Sequence, residues 1–448
     1  MSKQAKQKKA LIIGGSLGGL LTANMLRATG WQVQVFERVG DDLASRGAGI
    51  GTHEELLDIM DRIGARVDTS IGVHPESRTC LDRSGKAIYK MPRPRILSSW
   101  GRLYRVMKDA LPADDYFFGK SLLSYTDDGA TVTATFADGS TAHGDLLVGA
   151  DGIRSTVRAQ MLPELAEAQP VYAGYIGWRG LVPEAALPPE LHAECFMHNI
   201  VCYPDGEAMT MYAVPGPDND VRPGHRLYNW VWYHPLRAES PGTGVHSLAD
   251  HCTDATGHCH GTAIPPALIR PELVAEMRAL SHQALAPQCA QVIALTEQPF
   301  FQAIFDLESP RLFVKRAAVL GDAAFVARPH VGMGVTKAAL DAECLADAIA
   351  ETGDIDAGLQ RYHERQHLFG SRVIARARRV GAHLGAQATK PPETWTPEER
   401  HSNPLKMMTD SGTRLRDIPD LIELVRVNRG ARHDPGEHGK HMSALLQS

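Results

Sequence analysis

Residues 10–38 read ALIIGGSLGGLLTANMLRATGWQVQVFER, and the fold turns on how this stretch is parsed. Ala10–Ile13 form a short apolar run of the kind buried on both faces within a parallel sheet. Glycines follow, then a helical pattern to Gly30, then the alternating WQVQVFE that ends in Glu37. Strand, tight turn, helix and second strand open a βαβ unit. Gly14, Ser16 and Gly19 fall on the three key places of G-x-G-x-x-G, with Ser in the middle one. The first glycine there permits the tight turn, the second lets backbone approach a pyrophosphate, and the third lets helix pack on strand. Free N–H groups and partial positive charge at the helix start favour phosphate. Ser16 brings a small side chain to the place of closest approach, with a hydroxyl that can itself donate. Glu37, ending the second strand, is placed to accept from a ribose diol. The pattern predicts a bound dinucleotide, NAD or FAD, among Gly14, Ser16, Leu17, Gly19, Glu37 and Arg38.

Two later segments read as further turns at strand ends. HGDLLVGADGIRSTVR (143–158) is an apolar strand running into Asp151-Gly152, with Ser155 and Arg158 beyond. RAAVLGDAAFVARPHVGMGVTKAALDAECLADAIA (316–350) is strand, turn, loop and a long Ala-rich helix starting near Gly334. It holds one carboxylate, Asp322, in a cramped turn and follows it with a loop of bare backbone.

The three segments, in this order, resemble the nucleotide, "DG" and "GD" motifs of the class A FAD-dependent aromatic hydroxylases, with the p-hydroxybenzoate hydroxylase fold. The resemblance covers roughly residues 8–385. SRGAGI (45–50) is similar to that family's loop beside the isoalloxazine. Among its branches the chain looks most like the 2,6-dihydroxypyridine 3-hydroxylases, through GGSLGGL (14–20), GWRGLV (177–182), MYAVPG (211–216) and ARPHVGMG (327–334). The fold so implied is α/β: a doubly wound FAD-binding domain, an inserted, mainly antiparallel-sheet substrate domain and a C-terminal helical extension. The expected boundaries are 8–71, 97–170 and 296–385 for the FAD domain, 72–96 and 171–295 for the substrate domain, and 386–448 for the extension. That extension either wraps the body or meets a second copy in a homodimer.

The resemblance also implies site residues. Asp322 takes the ribitol, and Pro329, Gly332, Met333 and Gly334 offer backbone to the flavin's pyrimidine edge, where negative charge collects on reduction. Asp151 belongs to the same frame, and Arg46 and Gly47 to the flavin-side loop. Two departures stand out: Phe325 follows GDAA where the family often has His, and Trp100 lies near the place of an expected Arg, leaving Arg102 or Arg105 for the pyrophosphate. The implied chemistry is reduction of FAD by NAD(P)H, reaction with O2 to a flavin C4a-hydroperoxide, and transfer of one oxygen to a small hydroxylated, hydroxypyridine-like ring. A urate-like or phenolic ring is the alternative, as is a flavin-binding redox sensor without oxygenase activity. Since a phenolate-like ring is attacked more easily than its neutral form, a base near the flavin is expected. His53, His330 and Tyr212 are the candidates, although Thr52 and Glu55 stand at capping-box spacing around His53. No second G-x-G-x-x-G exists, consistent with transient NAD(P)H docking.

The middle of the chain carries LYNWVWYHPL (227–236), whose alternation puts Tyr228, Trp230, Trp232 and His234 on one face and Val231 and Tyr233 on the other. The aromatic face is either a wall for a flat ring or plain sheet core.

Composition sets the outer bounds. The 448 residues, 43% hydrophobic and 22% charged, fit a globular protein of two or three domains. A net charge of −5 gives no basic face for nucleic acid. No apolar run approaches the roughly 18 residues of a membrane span. Seven scattered cysteines suit a reducing cytoplasm. DHCTDATGHCHG (250–261) superficially suggests zinc, but no second pair follows at finger-like spacing, and a surface loop without metal is expected.

Overall fold

The computed structural model describes residues 7–43, 49–65, 67–92, 95–238, 247–400 and 403–430. In chain order, the strands of its two large sheets are β1 (Lys9–Ile13), β2 (Gln32–Phe36), β3 (Ser77–Leu81), β4 (Ala87–Pro92), β5 (Tyr116–Phe117), β6 (Leu146–Gly149) and β7 (Val171–Pro183). They continue as β8 (His198–Cys202), β9 (Ala208–Val214), β10 (Leu227–Pro235), β11 (Phe300–Glu308), β12 (Phe313–Val314), β13 (Ala317–Val319) and β14 (Phe325–Val326). The main helices are α1 (Leu17–Ala28), α2 (Glu54–Arg62), α3 (Trp100–Asp109), α4 (Thr156–Met161), α5 (Pro271–Ala284) and α6 (Pro287–Ala294). After them come α7 (Gly334–Thr352), α8 (Ile355–Val380), α9 (Pro404–Gly412) and α10 (Pro419–Arg429).

The first sheet runs β12-β13-β6-β1-β2-β5, parallel throughout except for the β12–β13 edge pair. Ala10–Ile13 are almost wholly buried, as expected of an apolar run lying between two neighbours with helices on its faces. Ile13 is level with both Phe36 and Gly149, so the turns carrying Gly14, Glu37 and Asp151 leave the same edge of the sheet. That edge is where an open α/β sheet builds its ligand crevice. Helix α7 packs on α1 and α8, and all three close over the main hydrophobic core.

The second sheet has eight strands, ordered β14-β11-β7-β10-β9-β8-β3-β4, and only its β8–β3 pair is parallel. The boundary drawn at 295 does not coincide with it, because β11 and β14 are hydrogen-bonded members of this sheet. Of the two faces read from LYNWVWYHPL, the one with Tyr228, Trp230 and Trp232 is core, shared with Trp178 and with Leu273, Met277, Val292 and Ile293 of α5 and α6. Val231 and Tyr233 face the other way, toward the site.

The extension wraps the body in its described part. Leu421 and Val425 of α10 join the main core, and Arg429 Nε donates to Glu343 Oε2 on α7 at 2.7 Å. Met408 of α9 packs on Cys80 and Val201 of the second sheet. Among the described residues no helix is long and apolar enough to cross a membrane.

Candidate active site

A first cavity of about 480 Å³ lies along the edge where β1, β2 and β6 end. Gly14 has φ +101°, and a Cβ there would stand 2.4 Å from the Ala150 carbonyl oxygen. A Cβ on Gly19 would stand 1.9 Å from the Gly14 oxygen, so the turn and the helix both require bare backbone. Ser16 is the N-cap of α1 but makes no side-chain cap bond, and with Leu17 it lines the cavity. Glu37 is buried in the wall; Oε2 accepts the Gly15 N–H and Oε1 the Val39 N–H, each at 2.9 Å. Arg38 lies beside it. Asp151 Oδ2 accepts from the Thr156 N–H at 2.7 Å, while Oδ1 is buried without a partner. Burial raises the Asp151 pKa above the usual carboxylate range.

Two buried groups hold these turns: Arg158 of the segment after Asp151, and Lys337, which sequence reasoning missed. Arg158 donates to the carbonyls of Ile153, Ala168 and Ala323 at 2.6, 2.9 and 2.7 Å, tying the turn after β6 to the turn after β13. Lys337 Nζ donates to Asp341 Oδ2 at 2.9 Å and to the Gly321 carbonyl at 3.0 Å, while Asp341 Oδ2 also accepts the Gly321 N–H at 2.9 Å. This ion pair, fully enclosed one turn into α7, clamps both sides of the residue preceding Asp322. Its signal in the sequence was a Lys and an Asp four apart with only apolar residues between them, KAALD (337–341).

Asp322 is exposed and opens on the cavity. Desolvation by the surrounding protein raises its pKa, and the charge of Lys337 opposes the rise. Asp322 also lines a second, larger cavity of about 800 Å³, as do Trp100, Gly334 and Val335, so the two chambers adjoin there. Pro329 and Gly332 continue into the second chamber, with Gly332 left-handed at φ +63°. Met333 is the N-cap of α7, which starts at Gly334 without a side-chain cap. Close-approach glycines at one helix start, an orphan acceptor on Asp151, a carboxylate at the junction and a bare second helix start fit an extended FAD.

The floor of the second chamber is the Val231/Tyr233 face of the eight-stranded sheet, with Tyr212 from β9. Three arginines, Arg78, Arg95 and Arg179, surround Tyr212; burial raises the phenol's pKa, and the charge of Arg179, then of Arg95 and Arg78, opposes it. Residues of the extension from Thr409 to Asp417 form one wall. There Ser411 Oγ accepts from Arg78 Nη2 at 2.7 Å, and the Ser411 carbonyl accepts from Arg95 Nη2 at 2.9 Å. His330 lines the chamber too; its Nε2 donates to the Ala377 carbonyl at 3.2 Å and its buried Nδ1 has no partner. Burial pushes its pKa down to about 3.

The other anticipated residues lie elsewhere. His53 is buried, with Nδ1 accepting the Leu415 N–H at 3.2 Å and Nε2 facing the Gly332 carbonyl at 3.1 Å and Arg95 at 2.7 Å. Burial and the Arg95 charge hold its pKa well below the usual value, and the ring forms no part of the chamber wall. The capping box around it does not form: Thr52 Oγ1 donates to the Ile96 carbonyl instead, and His53 itself is the N-cap of α2. Arg102 Nη2 reaches Ser70 Oγ at 3.3 Å and lines neither chamber. Trp100, in the place of an expected Arg, stacks on Tyr104 at the junction, and Phe325 is fully buried beneath α8. Arg46 and Gly47 lie outside the described residues. Among the described residues no cluster of three or more His, Cys, Asp or Glu could hold a metal.

A family described as FAD binding domain-like matches residues 172–306. The chain is 28% identical over 377 residues to the 2,6-dihydroxypyridine 3-monooxygenase of Paenarthrobacter nicotinovorans, covering 83% of this chain and 90% of that one. It is 29% identical over 374 residues to an FAD-dependent urate hydroxylase of Klebsiella pneumoniae, covering 80% and 85%. The solved 2,6-dihydroxypyridine-3-hydroxylase of Arthrobacter nicotinovorans superposes with a TM-score of 0.77 at 26% identity, over 89% of this chain and 98% of that one. Motifs, paired chambers and likeness over most of the length agree: the chain is similar to FAD-dependent aromatic hydroxylases, the 2,6-dihydroxypyridine 3-hydroxylase among them.

Proposed function

We propose that the protein is an FAD-dependent, NAD(P)H-consuming monooxygenase that adds one atom of O2 to a small, already hydroxylated ring of the hydroxypyridine type. The carrying observation is the junction at Asp322 and Gly334, where a cofactor site opens into a chamber walled by tyrosines and arginines. The name of the 2,6-dihydroxypyridine relative supports the ring class, as does that of the 6-hydroxynicotinate 3-monooxygenase of Bordetella bronchiseptica, 26% identical over 384 residues.

Bound FAD, once reduced by NAD(P)H, supplies the activated oxygen. The chain's own residues prepare the ring. The guanidiniums around Tyr212 favour the ionised form of a ring hydroxyl, which makes the ring electron-rich. Tyr212 keeps its proton, because burial raises its pKa, and donates to that oxyanion. His330 stays neutral and offers Nδ1 as an acceptor for a second ring hydroxyl. His53 is a positioning residue that holds the Gly332 loop. The Thr409–Asp417 wall and the apolar sheet keep water from the reacting ring.

The test is a screen of hydroxypyridines, purines and phenols for stimulated NAD(P)H oxidation, with 18O2 incorporation into product. Stimulation with label in a hydroxypyridine is the expected result. Preference for urate would move the substrate to the purine class, a second reading that the urate hydroxylase relative favours. Tight FAD binding with no stimulation by any ring would refute the oxygenase and leave a redox sensor.

A further inference from the structure

Within the second chamber the arginines are not equivalent. Arg78 is engaged with Asn199 Oδ1 and Ser411 Oγ, both at 2.7 Å. Arg95 packs at the loop before α7, where a Cβ on Gly332 would stand 2.7 Å from Arg95 Nη1, and its other amino group serves Ser411. Arg414 has Glu54 beside it at 3.5 Å. Arg179 differs from all three. It sits on β7, cross-strand from Val231, in the middle of the chamber floor. Among the described residues no carboxylate, carbonyl or hydroxyl accepts from its guanidinium, and its Nε is buried without a partner.

A half-buried guanidinium without a counter-charge is a costly feature to keep. Hydrogen bonds from the rest of the chamber do not offset that cost. The two acids that line the chamber are accounted for, Asp322 at the cofactor junction near Lys337 and Asp417 beside Arg416. Tyr212 and His330 already serve the ring's hydroxyl groups. The planar fork of Arg179 is left for an acceptor pair that the substrate brings, and its geometry matches a carboxylate bidentately.

We propose that Arg179 is the specificity-determining anchor of the substrate chamber and that the ring hydroxylated here carries a carboxylate. The inference rests on the hydroxylase reading for the identity of the ring, and adds to it the substituent that fixes the ring's orientation. Anchored through its carboxylate on the sheet floor, the ring is held in one register relative to the Asp322–Gly334 junction.

The experiment uses the purified, flavin-loaded, oxidised full chain. 6-Hydroxynicotinate and 2-hydroxypyridine, the same ring with and without the carboxylate, are titrated while the visible spectrum of the flavin is followed. The carboxylated ring is expected to bind about tenfold or more tightly, the size of one good charge-assisted contact. Arg179→Gln is expected to remove that advantage, weakening the carboxylated ring about tenfold more than 2-hydroxypyridine, which itself loses one of the three guanidiniums around Tyr212. Arg179→Lys should recover part of it, keeping the charge and losing the fork. Equal binding of the two rings by the wild type would overturn the proposal. So would equal weakening of both by Arg179→Gln, the mark of a merely structural role, or failure of 6-hydroxynicotinate and 4-hydroxybenzoate alike to perturb the flavin. No turnover is involved, so inactivity toward every ring would count against the monooxygenase reading alone.

Discussion

Replacing Lys337 by Met is the sharpest probe of how the cofactor turn is held. Lys337 and Asp341 are 0% and 1% exposed, and the methionine fills most of the same volume. Asp341 keeps the Gly321 N–H at 2.9 Å and Gln366 Nε2 at 2.6 Å but loses the counter-charge of Lys337. Stranding one member of a buried ion pair costs about 3–5 kcal/mol, against a typical total stability of about 5–15 kcal/mol. The Gly321 carbonyl loses its donor at the same time, and the turn before Asp322 loosens. Urea unfolding, followed by far-UV circular dichroism with saturating FAD, should therefore show a loss of at least about 3 kcal/mol. The double variant Lys337→Met/Asp341→Asn should regain at least half of it, since a neutral amide keeps an acceptor and strands no charge. A single-variant loss below about 1 kcal/mol, or a double variant no better than the single, would refute the account of the pair as a clamp.

Asp322→Ala removes the carboxylate at the junction of the two chambers and should weaken FAD binding by about 10- to 100-fold in fluorescence titration, the equivalent of about 1.5–3 kcal/mol for a bond to a charged group. Arg158→Ala leaves the Ile153, Ala168 and Ala323 carbonyls without their donor, and a destabilisation of about 3 kcal/mol with early loss of flavin on heating is expected. Glu55 is buried on α2, and desolvation raises its pKa from 4.5 to about 7 in the folded protein. The folded state therefore holds a proton that the unfolded chain releases, and the stability this contributes is present below pH 4.5 and lost as pH rises through about 7. Glu55→Gln should accordingly be more stable than wild type at pH 8, by up to about 3 kcal/mol, and no more stable at pH 4; equal urea midpoints at pH 8 would contradict this.

The cofactor half of the molecule was legible because its signals are local. Gly14 and Gly19 are required by clashes with atoms a few residues away or on the next strand, so their spacing alone speaks for the turn. Asp151 and Asp322 end strands whose apolar runs mark them. The substrate half was only partly legible. Alternation separated Trp230 and Trp232 from Val231 and Tyr233, but which face is core depends on α5 and α6, some forty residues further on. His53 looked like a base because it follows the flavin-side loop, and its burial against Leu415, 362 residues away, is not a local property. The convergence of Arg78, Arg95 and Arg179 on Tyr212 likewise brings together four strands or loops far apart in sequence.

The Thr409–Asp417 wall also fixes the order in which the molecule comes into being. The phosphate turn is encoded in the first forty residues, while the wall that encloses the ring is translated after the four-hundredth. Growing chains gain their N-terminal parts first, so a ribosome-bound intermediate has its phosphate turn, and by Ala338 the rest of its coenzyme cradle, before its reaction vessel has that side. Oxygen chemistry on an open vessel wastes reductant, and here residues 409–417 close one side of the vessel.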